Sequence, residues 1–329
     1  MMGSLSRPIR AGVIGVGQLG QHHARVFSEL RSTVEFVGVA DIDAARASEI
    51  AKRVGTEAFP DFHPLLERVD AVSIAVPTRY HHFVCRACIQ RGIHVLVEKP
   101  MAASLAQADD LLELAARHKV IIQVGHIERF NTAIRALMNM KVDPLFMEVH
   151  RLGPFSPRTA DVSVVFDLMI HDLDIVLELK GRAPVRVEAV GTPVLSENID
   201  IATARLEFDD GSLANLTASR VTREKMRKIR VFGRDSYVTV DCIKQDIAVL
   251  RLKPGAAGGE WTDRLAVERP ELARGEPLKL EIESFIRCVA EGGEPDISGV
   301  KGREAMAVAA RIDDDMAVRI GRFRAGRAA

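Results

Sequence analysis

The sequence predicts an α/β protein: an N-terminal doubly wound parallel sheet, then an α+β domain with a large, open, mostly antiparallel sheet. Three observations carry this. Over the first 126 residues, short β-branched runs alternate with helical patterns. After about Ile127, long two-residue alternations follow one another with little helix between them. The length of 329 residues suits about two domains at ~150 residues each, expected at 1–126 and 127–329.

In the first part, 9–14 reads as a strand, after which Leu19, Val26, Phe27 and Leu30 recur at helical spacing. A strand at 34–40 precedes a helix at 44–54. The runs 70–76 (DAVSIAV) and 93–97 (IHVLV) are continuously apolar, as strands covered on both faces must be. A helix over 103–118 leads to a strand at 120–124. Alternation at this period implies right-handed crossovers. Beyond 127, helices are expected at 132–140 and 166–179, and strands at 185–190, 201–208, 212–219, 228–232 and 237–240. Asp209-Asp210-Gly211 is a hairpin signal. The stretch 253–259 is a Pro/Gly-rich loop. Ile282, Phe285, Ile286 and Val289 mark a late helix; a final one at 304–320 is a candidate to pack back on the first domain.

Composition narrows the partners. Lys+Arg and Asp+Glu both number 45, so no global basic field attracts nucleic acid or anionic lipid. No run approaches the ~18 apolar residues of a membrane span, and 1–8 lacks the apolar run of a signal peptide. A cytoplasmic protein is expected. Cys85 and Cys88 form a lone CxxC with no second ligand pair, so two buried thiols are expected and no metal.

Gly15-Val16-Gly17-Gln18-Leu19-Gly20 fits G-x-G-x-x-G between a strand and a helix. Gly15 makes the tight turn, Gly17 admits a pyrophosphate to the backbone, and Gly20 lets helix and strand pack closely. The phosphates then meet the helix N-terminus around Gln18 and Leu19. Asp41, 21 residues after Gly20, stands where a carboxylate accepts from ribose hydroxyls. Asp43 adds a second acid and no arginine follows until Arg46, which favours NAD over NADP.

Glu98-Lys99-Pro100 follows the strand at 93–97, and doubly wound sheets bind ligands beyond the carboxyl ends of their strands. Asp167-x-x-x-His171-x-x-Asp174 sits in an apolar helical pattern, at offsets that put the three side chains on one face. A lysine, and a histidine backed by a carboxylate, can remove a hydroxyl proton while a hydride leaves the adjacent carbon. A satisfied structural network is the alternative.

Together the glycine loop with His23 beyond it, Pro77-Thr78-x-x-His81, Glu98-Lys99-Pro100 and Asp167-x-x-x-His171-x-x-Asp174 resemble the Gfo/Idh/MocA oxidoreductases. The resemblance runs over nearly the whole chain. It implies a Rossmann domain, a second domain with a large open sheet, and a homo-dimer or homo-tetramer formed through the sheet faces. It also implies that Lys99 binds and polarises the substrate hydroxyl and that Asp167 and His171 complete the active site. Pro77, Thr78, His81 and Glu98 then belong to the cofactor pocket, the last two beside the nicotinamide. Whether Lys99 or His171 takes the proton varies across the family and stays open.

One stretch departs from the family's commonest pattern, in which a glycine cluster precedes the aspartate. Here it reads Thr159-Ala160-Asp161-Val162-Ser163-Val164-Val165-Phe166. With Gly125-His126-Ile127-Glu128-Arg129-Phe130-Asn131 it resembles a subgroup acting on nucleotide-linked amino sugars, the UDP-N-acetylglucosamine 3-dehydrogenases. The resemblance implies oxidation at C3 of a UDP-N-acetylhexosamine for lipid A or polysaccharide assembly. A diphosphate needs convergent Arg or Lys. Arg129, Arg151 and Arg158 are candidates, Arg158 foremost, with Asn131 a further substrate contact. The basic run from Arg220 to Arg234 reads as a solvated strand face or subunit interface rather than a substrate site. Two alternatives remain: a dehydrogenase of a free sugar, inositol or sugar acid, and a non-catalytic NAD(H)-binding regulatory protein.

Overall fold

A computed structural model describes residues 7–140, 142–157, 162–253, 265–273 and 275–328. The chain divides into two compact units, one of residues 1–127 and 276–303, the other of 128–275 and 304–329.

In the first unit the chain runs β1 (Ile9–Ile14), α1 (Gly20–Glu29), β2 (Val34–Ala40), α2 (Ala44–Val54), β3 (Glu57–Phe59), α3 (His63–Leu66), β4 (Ala71–Ile74), α4 (His81–Ile89), β5 (His94–Glu98), α5 (Leu105–His118) and β6 (Ile122–Gly125). The six strands are all parallel, in the order β3-β2-β1-β4-β5-β6. Order reverses at β1, so the glycine loop opens at the switch point of the sheet. The helix starts are chemically marked. Asp43 accepts from the Arg46 amide to begin α2, and Ser104 accepts from the Gln107 amide to begin α5.

The second unit comprises α6 (Thr132–Asn139), β7 (Phe146–Leu152), a π-helical turn (Val165–Met169), α7 (Ile170–Lys180) and seven further strands. These are β8 (Arg186–Thr192), β9 (Ile201–Glu207), β10 (Leu213–Ser219), β11 (Met226–Phe232), β12 (Ser236–Asp241), β13 (Asp246–Leu252) and β14 (Leu265–Glu268). They form one sheet ordered β14-β13-β12-β11-β7-β10-β9-β8, antiparallel except for the β7/β10 pair. The expected hairpin joins β9 to β10: Gly211 has φ +81° and Asp210 accepts from the Ser212 amide.

Four strands escaped the sequence reading: the short β3 of the first unit, and β7, β13 and β14 of the second. In β7 the inward positions are Met147, Val149 and Arg151, so a buried guanidinium breaks the apolar alternation. The division expected at 126/127 also leaves out a return of the chain. The helix α8 (Pro277–Glu291) belongs to the first unit, where Ile282, Phe285 and Ile286 join Val13, Phe27 and Val39 in one core. The final helix, α9 (Gly299–Ala328), begins in the first unit and continues in the second. Among the described residues no helix is long and apolar enough to cross a membrane.

Candidate active site

The loop after β1 is built on close approaches. Gly15 has φ +85°, and a Cβ there would sit 2.8 Å from Val76 Cγ1 and 2.9 Å from the Ala75 carbonyl. A Cβ on Gly20 would fall 1.8 Å from the Gly15 oxygen. Gly17 differs: a Cβ there would meet no protein atom within 4 Å. Packing does not require glycine at 17, whereas a diphosphate laid against the backbone does. No side chain caps the start of α1, so the positive end of its dipole is offered to an anion. Gln18 and Leu19 are exposed beside it.

Asp41 closes the loop from the end of β2. Its Oδ2 accepts from the Val16 amide at 2.9 Å and its Oδ1 from the Asp43 amide at 2.9 Å. Arg46 comes closer than its sequence distance implied, with Nη1 3.7 Å from Asp41 Oδ2. Its Nη2 is taken by Asp43 at 2.9 Å, so two carboxylates face one guanidinium and the site suits ribose hydroxyls better than a 2′-phosphate. Ile42, between the acids, is 97 % exposed. Such an apolar surface beside the ribose carboxylate suits an adenine face. The sequence reading passed over it, although its place directly after the acid ending β2 was a usable signal.

Lys99 follows β5 at the carboxyl edge of the same sheet, and the Lys99–Pro100 peptide is cis. Just before it, Glu98 Oε1 lies 3.1 Å from Nε2 of His23 on α1, and His23 Nδ1 lies 2.7 Å from Ser73 Oγ on β4. Burial pushes the Glu98 carboxyl up, but the hydrogen bond and charge of His23, with Lys99 and His81, hold it below the usual carboxylate range. Pro77 and Thr78 form the turn before α4. His81 opens that helix with one ring nitrogen 2.8 Å from the Pro100 carbonyl and the other 2.8 Å from that of Val76. Burial lowers its pKa, against the pull of those carbonyls. Both side chains expected beside the nicotinamide are therefore engaged with protein groups.

In the second unit, Asp167 lies in the π-helical turn and His171 in the first turn of α7, both half-buried. The helix expected over 166–179 opens with a π-helical turn, which holds Asp167, and continues as α7 with His171 and Asp174. Such turns concentrate at functional sites. Arg220 Nη1 stands 3.8 Å from Asp167 Oδ2. Asp174 is buried and pairs with Arg129 at 3.5 Å, while Arg129 reaches Glu178 at 3.1 Å.

Several expected substrate contacts thus have other work. Arg129 is a buried ion-pair partner. Asn131 caps α6, accepting from the Ala133 amide and donating to the Cys242 carbonyl. Arg151 binds Asp172 through two nitrogens at 2.8 and 2.7 Å and Glu128 through a third at 3.0 Å. Burial disfavours the Arg151 charge, but those two carboxylates raise its pKa above the ordinary value. Arg158 lies outside the described residues. The basic run is not one solvated face either: Arg220 is 1 % exposed and bonds Asp200, and Arg227 bonds Glu128. Cys85 and Cys88 are buried thiols, and burial pushes Cys88 up to about 12.

The model of the Gfo/Idh/MocA oxidoreductase family, NAD-binding Rossmann fold, matches residues 9–126, and that of the family's C-terminal domain matches 144–239. The chain belongs to this family. The UDP-N-acetylglucosamine 3-dehydrogenase of Acidithiobacillus ferrooxidans is 38 % identical to this Gfo/Idh/MocA protein, over 92 % of the chain and 96 % of the relative. A solved structure of that enzyme superposes with a TM-score of 0.88, covering 94 % of this chain and 97 % of the other. The myo-inositol 2-dehydrogenase of Thermotoga maritima is 28 % identical, over 91 % of this chain and 93 % of its own. As a Gfo/Idh/MocA oxidoreductase the chain carries NAD on its Rossmann unit, and Gly15, Gly17, Gly20 and Asp41 fit that cofactor.

Proposed function

We propose that this protein is an NAD-dependent dehydrogenase that oxidises the C3 hydroxyl of a UDP-N-acetylhexosamine to a ketone, in amino-sugar biosynthesis for lipid A or polysaccharide. The observation that carries the reading is likeness, over nearly the whole chain, to a UDP-N-acetylglucosamine 3-dehydrogenase. NAD, when bound, supplies the hydride acceptor. Gly15, Gly17, Gln18, Leu19 and Gly20 hold its diphosphate, and Asp41 holds its adenosine ribose.

Lys99 supplies a cation that binds and polarises the substrate hydroxyl, and His171 takes the hydroxyl proton as the C–H hydride departs. Asp167 completes the set, supported by Arg220 at 3.8 Å. The diphosphate of the sugar nucleotide is assigned to Arg158. The setting is cytoplasmic, in keeping with four cysteines that are all free and buried.

We also propose a homo-dimer or homo-tetramer joined through the open sheet face. There Phe146, Phe232 and Tyr237 stack in a row at 5.5 and 4.7 Å between ring centres. A second copy would bury this aromatic row.

The test is reduction of NAD by UDP-N-acetylglucosamine, followed by NADH absorbance. Lys99→Ala and His171→Ala are expected to abolish turnover while NAD still binds. Full activity in both would refute the mechanism. A second reading, oxidation of an inositol or free sugar, is favoured by the likeness to a myo-inositol 2-dehydrogenase. Faster turnover of myo-inositol than of the UDP-sugar would establish it instead.

A further inference from the structure

Lys99 is flanked by two residues, each gripped by a histidine from a different helix. On its N-terminal side, Glu98 Oε1 lies 3.1 Å from His23 Nε2, and Ser73 Oγ lies 2.7 Å from His23 Nδ1. On its C-terminal side, the Pro100 carbonyl lies 2.8 Å from His81 Nδ1, while His81 Nε2 lies 2.8 Å from the Val76 carbonyl. His23 and His81 are 2 % and 1 % exposed. Gly125, ending β6, closes another side of Glu98, since a Cβ there would stand 3.1 Å from Oε2. Burying two imidazoles and a carboxylate is costly unless each is partnered. Here the partners converge on one three-residue turn.

We infer that His23 and His81 are positioning residues for Lys99, clamping the backbone on either side of it, with Glu98 carrying the first clamp. The inference rests on the reading of Lys99 as the group that polarises the substrate hydroxyl. It gives His81 and Glu98 a task other than touching the nicotinamide. The order Ser73–His23–Glu98 matches a hydrolase triad, but Ser73 is 0 % exposed inside β4, so its hydroxyl orients the imidazole and attacks nothing. With Ser73 donating to Nδ1, the ring presents its Nε2–H to Glu98. The titratable groups around Glu98 are then His23 from α1, His81 from α4 and Lys99 itself. Glu98 is the single anion among them, which keeps a negative charge next to the ammonium. His81 faces two acceptors, so a neutral ring donates to one carbonyl and a protonated ring to both.

The experiment is steady-state kinetics with NAD and UDP-N-acetylglucosamine, beside an NAD titration and a thermal melt, on His23→Leu, His23→Gln, His81→Leu, Glu98→Gln and Lys99→Ala. Lys99→Ala should abolish turnover. His23→Leu, His81→Leu and Glu98→Gln should each lower kcat by about 10- to 100-fold, the scale of a misplaced catalytic group, with the Kd for NAD unchanged. His23→Gln keeps an N–H for Glu98 and should recover most of the loss. Should His23→Leu not fold, the isosteric Glu98→Gln and the rescue variant carry the test. A lowered melting temperature with kcat intact would make the clamp mere core packing. A raised Kd for NAD with kcat intact would make these residues cofactor ligands. Full turnover in Lys99→Ala would sink the reading of Lys99 itself, a different outcome from failure of the clamp.

Discussion

Arg220, the largest fully buried side chain among the described residues, stands 3.8 Å from the carboxylate of Asp167 and anchors itself on Asp200 at 2.8 Å. Asp200 is 0 % exposed and also accepts from the amides of Val194, Leu195 and Ser196. Burial opposes its charge, but those amides and Arg220 hold its pKa far below the ordinary carboxylate value. The site aspartate is thus braced by a cation that is itself fully committed to the fold.

Arg220→Met leaves Asp200 buried opposite no guanidinium. Breaking a buried pair in this way costs about 3–5 kcal/mol. Urea unfolding should show that loss, and Arg220→Lys a smaller one, because lysine keeps the charge without the forked geometry. Equal midpoints for wild type and Arg220→Met would contradict the brace.

Gly17→Ala and Gly20→Ala should separate binding from folding. A Cβ at 17 touches no protein atom, whereas one at 20 would lie 1.8 Å from a backbone oxygen. Gly17→Ala is expected to melt like wild type and to bind NAD about tenfold or more weakly, the equivalent of about 1.4 kcal/mol or more. Gly20→Ala should lower the melting temperature, since the loop must shift. Calorimetry with and without NAD distinguishes the two.

Arg129→Ala tests whether this arginine serves substrate or fold. Its side chain is 8 % exposed between Asp174 and Glu178. The expected result is a stability loss of about 3 kcal/mol, because the buried Asp174 loses its ion pair with Arg129, with the KM for the UDP-sugar unchanged. A raised KM at wild-type stability would return Arg129 to the substrate site.

His94 should make the protein sensitive to mild acid. Its Nδ1 accepts from the Ile121 amide at 3.0 Å, and burial lowers its pKa despite Asp70. The unfolded imidazole, with an ordinary value near 6.5, takes up protons that the folded one refuses. Stability is therefore full above that value and falls as the pH drops through and below it. Unfolding free energies measured from pH 7.5 to 5 should show this decline, and His94→Asn should lessen it, the buried His81 keeping its own share.

The first unit was largely legible, because its strands are apolar on both faces and its helices repeat at a clear period. The glycine loop and Asp41 were legible too, since close backbone approaches demand Gly15 and Gly20 and two amides of the loop region hold Asp41. The second unit hid more. A buried arginine interrupts the pattern of β7, and nothing in the spacing of Asp167 and His171 announces the π-helical turn that opens their helix. Arginines 129, 151 and 220 looked like substrate or surface charges because sequence separation conceals their partners: Asp172 is 21 residues from Arg151, and Asp200 is 20 from Arg220. Ile42 was overlooked because hydrophobic residues were read as core.

The return of α8 has a consequence for synthesis. Its Ile282, Phe285 and Ile286 complete the core around Val13 and Phe27, yet they leave the ribosome long after Ile127. At the usual pace of translation the interval is on the order of ten to thirty seconds. Throughout it the nascent nucleotide-binding half carries a bare apolar face, a natural station for a chaperone. A fragment ending at Ile127 would keep that face uncovered.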